Sequence, residues 1–398
     1  MELWKMIDKD EKRALTKMGM QTMLAHFGDE NIHGAVVPPI FLNSTFIHES
    51  YEAFQEGKGY YYSRQSNPTL EVLEKKLAAL ESGESAKIFA SGMAAISATL
   101  FHFLQQGDHV ICSVPTYGGT YGMLGHYMKK FGITVDFIDF REMEHVRAAI
   151  KPNTKLIVCE AYSTFFMEIF DLSAVVAIAR EHGLRTIIDN TCASPAFLRP
   201  LEWGFDVVIH SASKYLGGHS DVIAGVVIAS EEIMESINQM EYPLFGGALG
   251  PLESWLVARG LKTFGLRMKQ HASSALEVAQ MLAENAKVAR VNFPFLPSHE
   301  QHELAKKQFD GPSGLLSFEL HGGADAAARV INRLKYFKIG VSWGGFESLV
   351  YSPGMSGPNE QFIDTIYEPR MGHLIRISVG LEDTIDLIED LKAALEWA

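Results

Sequence analysis

DVVIHSASKYLGGHSD, residues 206–221, is a short apolar run that breaks off into two hydroxyls, a lysine and paired glycines. Val207, Val208 and Ile209 have the β-branched character of a buried strand, and Gly217 and Gly218 mark the turn that ends the segment. In an open parallel sheet, ligands bind beyond the carboxyl ends of the strands, so Lys214 and the hydroxyls of Ser211 and Ser213 stand where chemistry is expected. A lone lysine at a strand exit is ordinarily just solvated. One flanked by hydroxyls and glycines can form a Schiff base with an aldehyde cofactor while its neighbours bind a phosphate.

Working outward, the same kind of run recurs. AKIFA (86–90), HVICSV (109–114), TVDFIDF (134–140), KLIVCEA (155–161), RTIIDNT (185–191), DVVIHS (206–211) and AGVVIAS (224–230) alternate with helical patterns such as LSAVVAIAREHG (172–183). Strands alternating with helices predict an α/β fold with a mostly parallel seven-stranded sheet. Past Glu253 the pattern changes. A long helical segment from Ser254 to about Asn285 leads into the strands GLLSFELHG (314–322) and LIRISVGL (374–381), which reads as a smaller α+β domain. The expected division is an arm over 1–60, a cofactor-binding large domain over 61–253 and a C-terminal domain over 254–398. GYYYSR (59–64) reads as extended chain that packs on a neighbouring subunit, and Tyr351–Gly372 as a long surface loop over the site.

Other strand ends carry further candidates. Asp189 closes RTIID, and a carboxylate there is what a pyridinium nitrogen requires, although it would also cap the following turn. AKIFA leads through Ser91 into Gly92 and Met93, where the free amides of a helix start form an anion cradle. HVICSV leads to Tyr117 on a glycine-rich turn, from which its ring can cover a flat ligand.

Composition excludes several classes. A net charge of -13 without a basic stripe argues against nucleic acid. No apolar run approaches the roughly 20 residues of a membrane span. MELWKMIDKDEKRALTK, at the start, has no secretory pattern, and Cys112, Cys159 and Cys192 lie far apart in apolar segments, so a cytoplasmic protein with reduced thiols is expected. Ser298–His302 mimics a metal helix, but its histidines are three apart, and no metal is expected. No nucleotide-binding glycine fingerprint follows any strand.

YYSRQSNPT (61–69), SGMAA (91–95), TYGGT (116–120), IIDNT (187–191), HSASKYLGGHSD (210–221), SWGGFESL (342–349) and IRISVGLED (375–383) occur in the order seen in the Cys/Met-metabolism (trans-sulfuration) family of pyridoxal-phosphate enzymes, which the chain resembles over nearly its whole length. The resemblance implies the aspartate-aminotransferase-like fold (fold type I), pyridoxal 5'-phosphate as cofactor, an amino-acid substrate and a homotetramer built as a dimer of dimers. It makes Lys214 the Schiff-base lysine and proton carrier, Asp189 the pyridinium partner and Tyr117 the stacking residue. Gly92, Met93, Ser211 and Ser213 would hold the phosphate, joined by Tyr62 and Arg64 from the neighbouring subunit. Arg376 would pair with the substrate α-carboxylate beside Ser342.

Departures from the family pattern bear on the substrate. Glu160-Ala161-Tyr162-Ser163-Thr164-Phe165 stands where related γ-enzymes have Glu-Ser-Pro-x-Asn-Pro, leaving Thr164 to serve the cofactor's phenolic oxygen. Trp343 resembles the cystathionine β-lyases. Gly122 and Val341 replace charges that grip the distal end of cystathionine, as in methionine γ-lyases, yet Gly119 stands where those enzymes have a cysteine. The expected activity is elimination of a sulfur leaving group from cystathionine, methionine, cysteine or homocysteine, at Cβ or Cγ. The alternatives are γ-replacement, as in cystathionine γ-synthase or a homoserine-ester sulfhydrylase, and a silent cofactor-binding regulatory protein.

Overall fold

The computed structural model describes residues 18–29, 31–57, 59–357, 360–363 and 365–398; the N-terminal segment read for a secretory pattern lies outside them. Each of the seven anticipated strand runs forms a strand: β1 (Ser85–Phe89), β2 (His109–Ser113), β3 (Thr134–Ile138), β4 (Thr154–Glu160), β5 (Arg185–Asp189), β6 (Val207–His210) and β7 (Gly225–Ala229). They make one sheet in the order β1-β7-β6-β5-β4-β2-β3. The β2, β3, β4 and β5 pairings are parallel, whereas β1 runs antiparallel to β7 with Ser85 opposite Ala229. All five residues of β2 and of β7 are buried, as expected for strands covered on both faces.

Local chemistry explains where the helices begin and end. Helix α1 (Pro68–Leu80) starts with Pro68 in its first turn and Asn67 capping the amide of Thr69. Helix α2 (Gly92–Phe103) follows β1. In α3 (Leu172–Glu181) the Asp171 side chain accepts from the amide of Ala174, and Leu172, Val175, Val176, Ile178 and Ala179 are buried at helical spacing. Gly183, at φ 65°, closes it: its amide donates to Arg180 O, and the amide of Leu184 to Ala179 O, the pair of bonds that satisfies a helix's last carbonyls.

A second sheet has the order β10 (Lys338–Ile339), β11 (Leu349–Tyr351), β12 (Leu374–Ser378), β9 (Leu315–Leu320), β8 (Val288–Asn292). The two strands anticipated there, β9 and β12, are antiparallel neighbours with Arg376 opposite Ser317. The other three, two of them only two or three residues long, escaped notice. The expected continuous helix from Ser254 is instead two, α4 (Pro251–Leu261) and α5 (Phe264–Glu284). Between them the amides of Lys262 and Thr263 turn back to Arg259 O and Gly260 O in a tightened turn.

The segment from Tyr351 to Gly372 is not the surface loop expected. Helical turns at Pro353–Ser356 and Glu360–Phe362 lead to a short helix over Glu368–Met371, and Phe362 and Tyr367 are buried with Phe166 and Leu374. Two aromatic rings facing a core hold the chain down, a signal that the glycines and prolines around them masked. Pro358, Asn359 and Asp364 of this segment are outside the described residues.

Two compact units emerge. One comprises the described residues of Met1–His102 with Ile209–Gly217 and Asp221–Gly265; the other comprises Phe103–Val208, Gly218–Ser220 and Leu266–Ala398. In the first, Gly225 opens β7 directly against the turn after β1. A Cβ there would lie 2.2 Å from Ser91 O and 2.8 Å from Gly92 Cα. Backbone cannot swing aside as a side chain can, so Gly225→Ala is expected to destabilise the protein by about 1–3 kcal/mol, read as a lowered urea midpoint against wild type.

Candidate functional site

In the first unit the β1–α2 turn and the β6–β7 connection lie side by side. Ser91 caps α2, its hydroxyl accepting from the amide of Ala94 at 3.0 Å and its carbonyl from Ala95 at 3.1 Å. The amides of Gly92 and Met93, ahead of the helical ladder, are the ones available to an anion. Gly92 packs so closely on Ser211 that an added Cβ would stand 3.0 Å from the Ser211 Cβ. Lys214 follows in a tight turn, its amide donating to Ser211 O at 3.1 Å and that of Gly217 to Ala212 O at 2.8 Å. Gly92 at the start of α2 and Ser211 at the start of the lysine turn are thus in direct apposition.

Ser213 differs from expectation. Its hydroxyl donates to Ala224 O at 3.2 Å and accepts from Ala224 N at 2.9 Å, so its one proton ties the lysine turn to the chain entering β7. Tyr62 and Arg64 are exposed on the same unit, the guanidinium 5.3 Å from the tyrosine ring centroid. Both line a cavity that also involves Asn43 and Leu249.

In the second unit Asp189 ends β5, and its Cα is the register partner of Glu160 at the end of β4. The amide of Thr191 donates to Asp189 Oδ1 at 2.9 Å, and the Thr191 hydroxyl donates to the same oxygen. The capping role foreseen as the plain alternative is therefore real, and it fixes the direction of the carboxylate. Tyr117 opens the short helix Gly118–Gly122 with its ring half-exposed. Burial, then the charges of Asp189 and Glu160, raise its phenol above the usual range.

Sequence reasoning passed over Glu160. It is buried, and burial followed by the Asp189 charge pushes its pKa up to about 8, against the opposing pull of its hydrogen bonds. Those bonds come from the amide of Tyr117, from the Thr116 hydroxyl at 3.0 Å and from the Thr164 hydroxyl at 2.8 Å. Thr164 therefore does not replace the missing asparagine as a donor: its single proton goes to Glu160, leaving it only lone pairs for another partner. A carboxylate closing the buried run KLIVC was the available signal. The amide of Thr116 also donates to Gln361 Oε1 at 3.1 Å, which brings the Tyr351–Gly372 segment onto the Tyr117 turn.

Arg376, on β12, is almost buried and donates to Val341 O at 2.9 Å and Ser342 O at 3.2 Å. Its guanidinium lies 5.3 Å from the Tyr351 ring and 5.9 Å from the Phe165 ring. Val341 turns its side chain to solvent, and Trp343 packs against the core of the unit. Among the described residues there is no cluster of three metal-ligating side chains and no helix long and apolar enough to cross a membrane.

The donor set fits pyridoxal phosphate on its own chemistry: an oriented carboxylate for a ring nitrogen, and a cradle at a helix start that a Cβ on Gly92 would fill. Residues 21–396 match the family described as Cys/Met metabolism PLP-dependent enzyme. The chain is 39% identical to L-methionine gamma-lyase of Treponema denticola, over 97% of this chain and 98% of that protein. It is 43% identical to a probable cystathionine gamma-synthase of Herpetosiphon aurantiacus over 80% of this chain and 99% of that one, and 39% identical to cystathionine beta-lyase of Coxiella burnetii over 95% and 98%. The crystal structure of metB from Corynebacterium glutamicum superposes with a TM-score of 0.90 at 35% identity, covering 96% of this chain and 99% of that one. With the strand order, the cradle and the oriented carboxylate all in place, the chain belongs to the Cys/Met-metabolism family of pyridoxal-phosphate-dependent enzymes and has their fold type I architecture.

Proposed function

We propose that this protein is a carbon–sulfur lyase that eliminates a thiol-type leaving group from a sulfur amino acid, giving a 2-keto acid and ammonia. The observation that carries the reading is the intact set of Lys214, Asp189, Tyr117 and Arg376 in a chain that matches the family from residue 21 to residue 396. Pyridoxal phosphate, when bound, supplies a sink for the electron pair left at the substrate Cα. Asp189 keeps the ring nitrogen protonated. Gly92 and Met93 amides and the Ser211 hydroxyl hold the phosphate, with Ser213 fixing the turn beside them. Lys214 Nζ anchors the cofactor and then takes the α-proton. Tyr117 would cover the ring, and its phenol would deliver a proton to the departing sulfur. Thr164 accepts beside the ring through its remaining lone pairs.

Arg376 pairs with the substrate α-carboxylate next to Ser342. Val341 and Trp343 bound the side-chain pocket, and with Gly122 in place of a charge they favour an uncharged thioether over a distal amino-acid group. The assembly is a homotetramer of dimers, in which the exposed Tyr62 and Arg64 reach the partner's phosphate. The arm over 1–60, the large domain over 61–253 and the C-terminal domain over 254–398 serve assembly, cofactor and substrate respectively. A cytoplasmic location agrees with three cysteines that lie far apart in apolar stretches of the sequence. The likeness to a probable cystathionine gamma-synthase supports a second reading, γ-replacement, in which a thiol enters where the leaving group departed.

The deciding experiment incubates cofactor-loaded protein with cystathionine and methionine separately. A 2-keto acid is expected in equal amount with ammonia: pyruvate from cystathionine marks β-elimination, and 2-oxobutyrate from either marks γ-elimination. Absence of both would leave replacement, tested with an activated homoserine ester and a thiol. Lys214→Ala should abolish keto-acid formation together with the protein-bound cofactor's visible absorbance band. Arg376→Lys keeps the charge but loses the two-pronged grip on a carboxylate, so kcat/KM should fall by about 2 kcal/mol, on the order of thirtyfold, mainly through KM.

A further inference from the structure

Glu160 has no part in the reaction proposed above, yet three hydrogen bonds converge on its carboxyl group. It closes β4, it is buried, and its two oxygens take the amide of Tyr117 and the hydroxyls of Thr116 and Thr164. Thr116 and Tyr117 belong to the turn after β2, and Thr164 to the chain after β4. Three bonds from two separate stretches therefore meet on one carboxyl group. Gln361 braces the same turn from a third stretch, through the Thr116 amide. Burying a carboxyl beside Asp189 is unfavourable, and nothing about folding the sheet demands it, since an apolar residue would fill a strand end at lower cost.

We propose that Glu160 is a positioning residue: it clamps the Thr116–Tyr117 turn to the Thr164 segment and so fixes the place of the Tyr117 ring and the electrostatic field at its phenol. The inference rests on the reading of Tyr117 as the residue that covers the cofactor and moves a proton. Among the described residues, the titratable groups around the Glu160 carboxyl include Asp189 on β5, Tyr117 on its turn, Cys112 on β2 and Cys159 on β4. Asp189 and Glu160 both raise the Tyr117 phenol when charged, so removing the Glu160 charge must lower it.

Two substitutions separate the clamp from the charge. In Glu160→Gln the amide oxygen can accept from Tyr117 and the amide nitrogen can donate to a threonine hydroxyl, so the clamp survives without the charge. In Glu160→Ala both are lost. We expect Glu160→Ala to lower kcat by about tenfold to a hundredfold and Glu160→Gln to recover most of that loss. In the cofactor-free protein, the tyrosinate absorbance assigned to Tyr117 by difference from Tyr117→Phe should titrate at lower pH in Glu160→Gln than in wild type. The alkaline limb of kcat/KM should move the same way. Circular dichroism and urea unfolding check that each variant folds, and the cofactor-free titration of Glu160→Gln decides the matter even where Glu160→Ala does not fold. An unchanged Tyr117 titration in Glu160→Gln, or wild-type kcat in a folded Glu160→Ala, would overturn the proposal. Full activity of Tyr117→Phe would instead overturn the role given to Tyr117, a distinct result.

Discussion

Two carboxyl groups end neighbouring parallel strands, Glu160 on β4 and Asp189 on β5, in direct register. Like charges side by side in a buried place repel, and a protein can keep them only by giving each its own donors. Here Asp189 takes the amide and hydroxyl of Thr191, whereas Glu160 takes the Tyr117 amide and two threonine hydroxyls. The turns that follow β2, β4 and β5 are shaped by this separation of duties. Each supplies a donor at a fixed place, and each thereby sets a side chain that the proposed chemistry uses.

The first unit solves a different problem, the approach of backbone to backbone. Gly225 lies against Ser91 O, and Gly92 lies against Ser211. The helix start can come this near the Ser211 side chain only because Gly92 carries no Cβ at the point of contact. The cradle is therefore made of absences as much as of groups. Ser213 completes it by tying the turn to the strand entrance rather than by pointing a hydroxyl outward.

Much of this was legible from residue patterns. Runs of Val and Ile between helical segments are a strong signal because a buried parallel strand tolerates little else, and all seven runs became strands. Lys214, Asp189 and Gly92 could be singled out because each stands at the break between an apolar run and a turn. What stayed hidden depended on side chains meeting across long separations. The bond from Thr164 to Glu160 could not be foreseen from either residue, nor could the burial of Phe362 and Tyr367, whose partner Phe166 lies some two hundred positions earlier. Short strands such as β10 and β11 are too brief for periodicity to register.

Arg376 donates to the main-chain carbonyls of Val341 and Ser342. A main-chain grip is indifferent to which residues provide it, so the two positions can change identity while the arginine stays where it is. The Val341 side chain, turned to solvent, is the freest of these. In the role proposed for Arg376, recognition of what every amino acid shares would be mechanically uncoupled from recognition of what distinguishes one from another. A scaffold arranged in this way can drift from one substrate to the next through single substitutions, without passing through a form that has lost its hold on amino acids altogether.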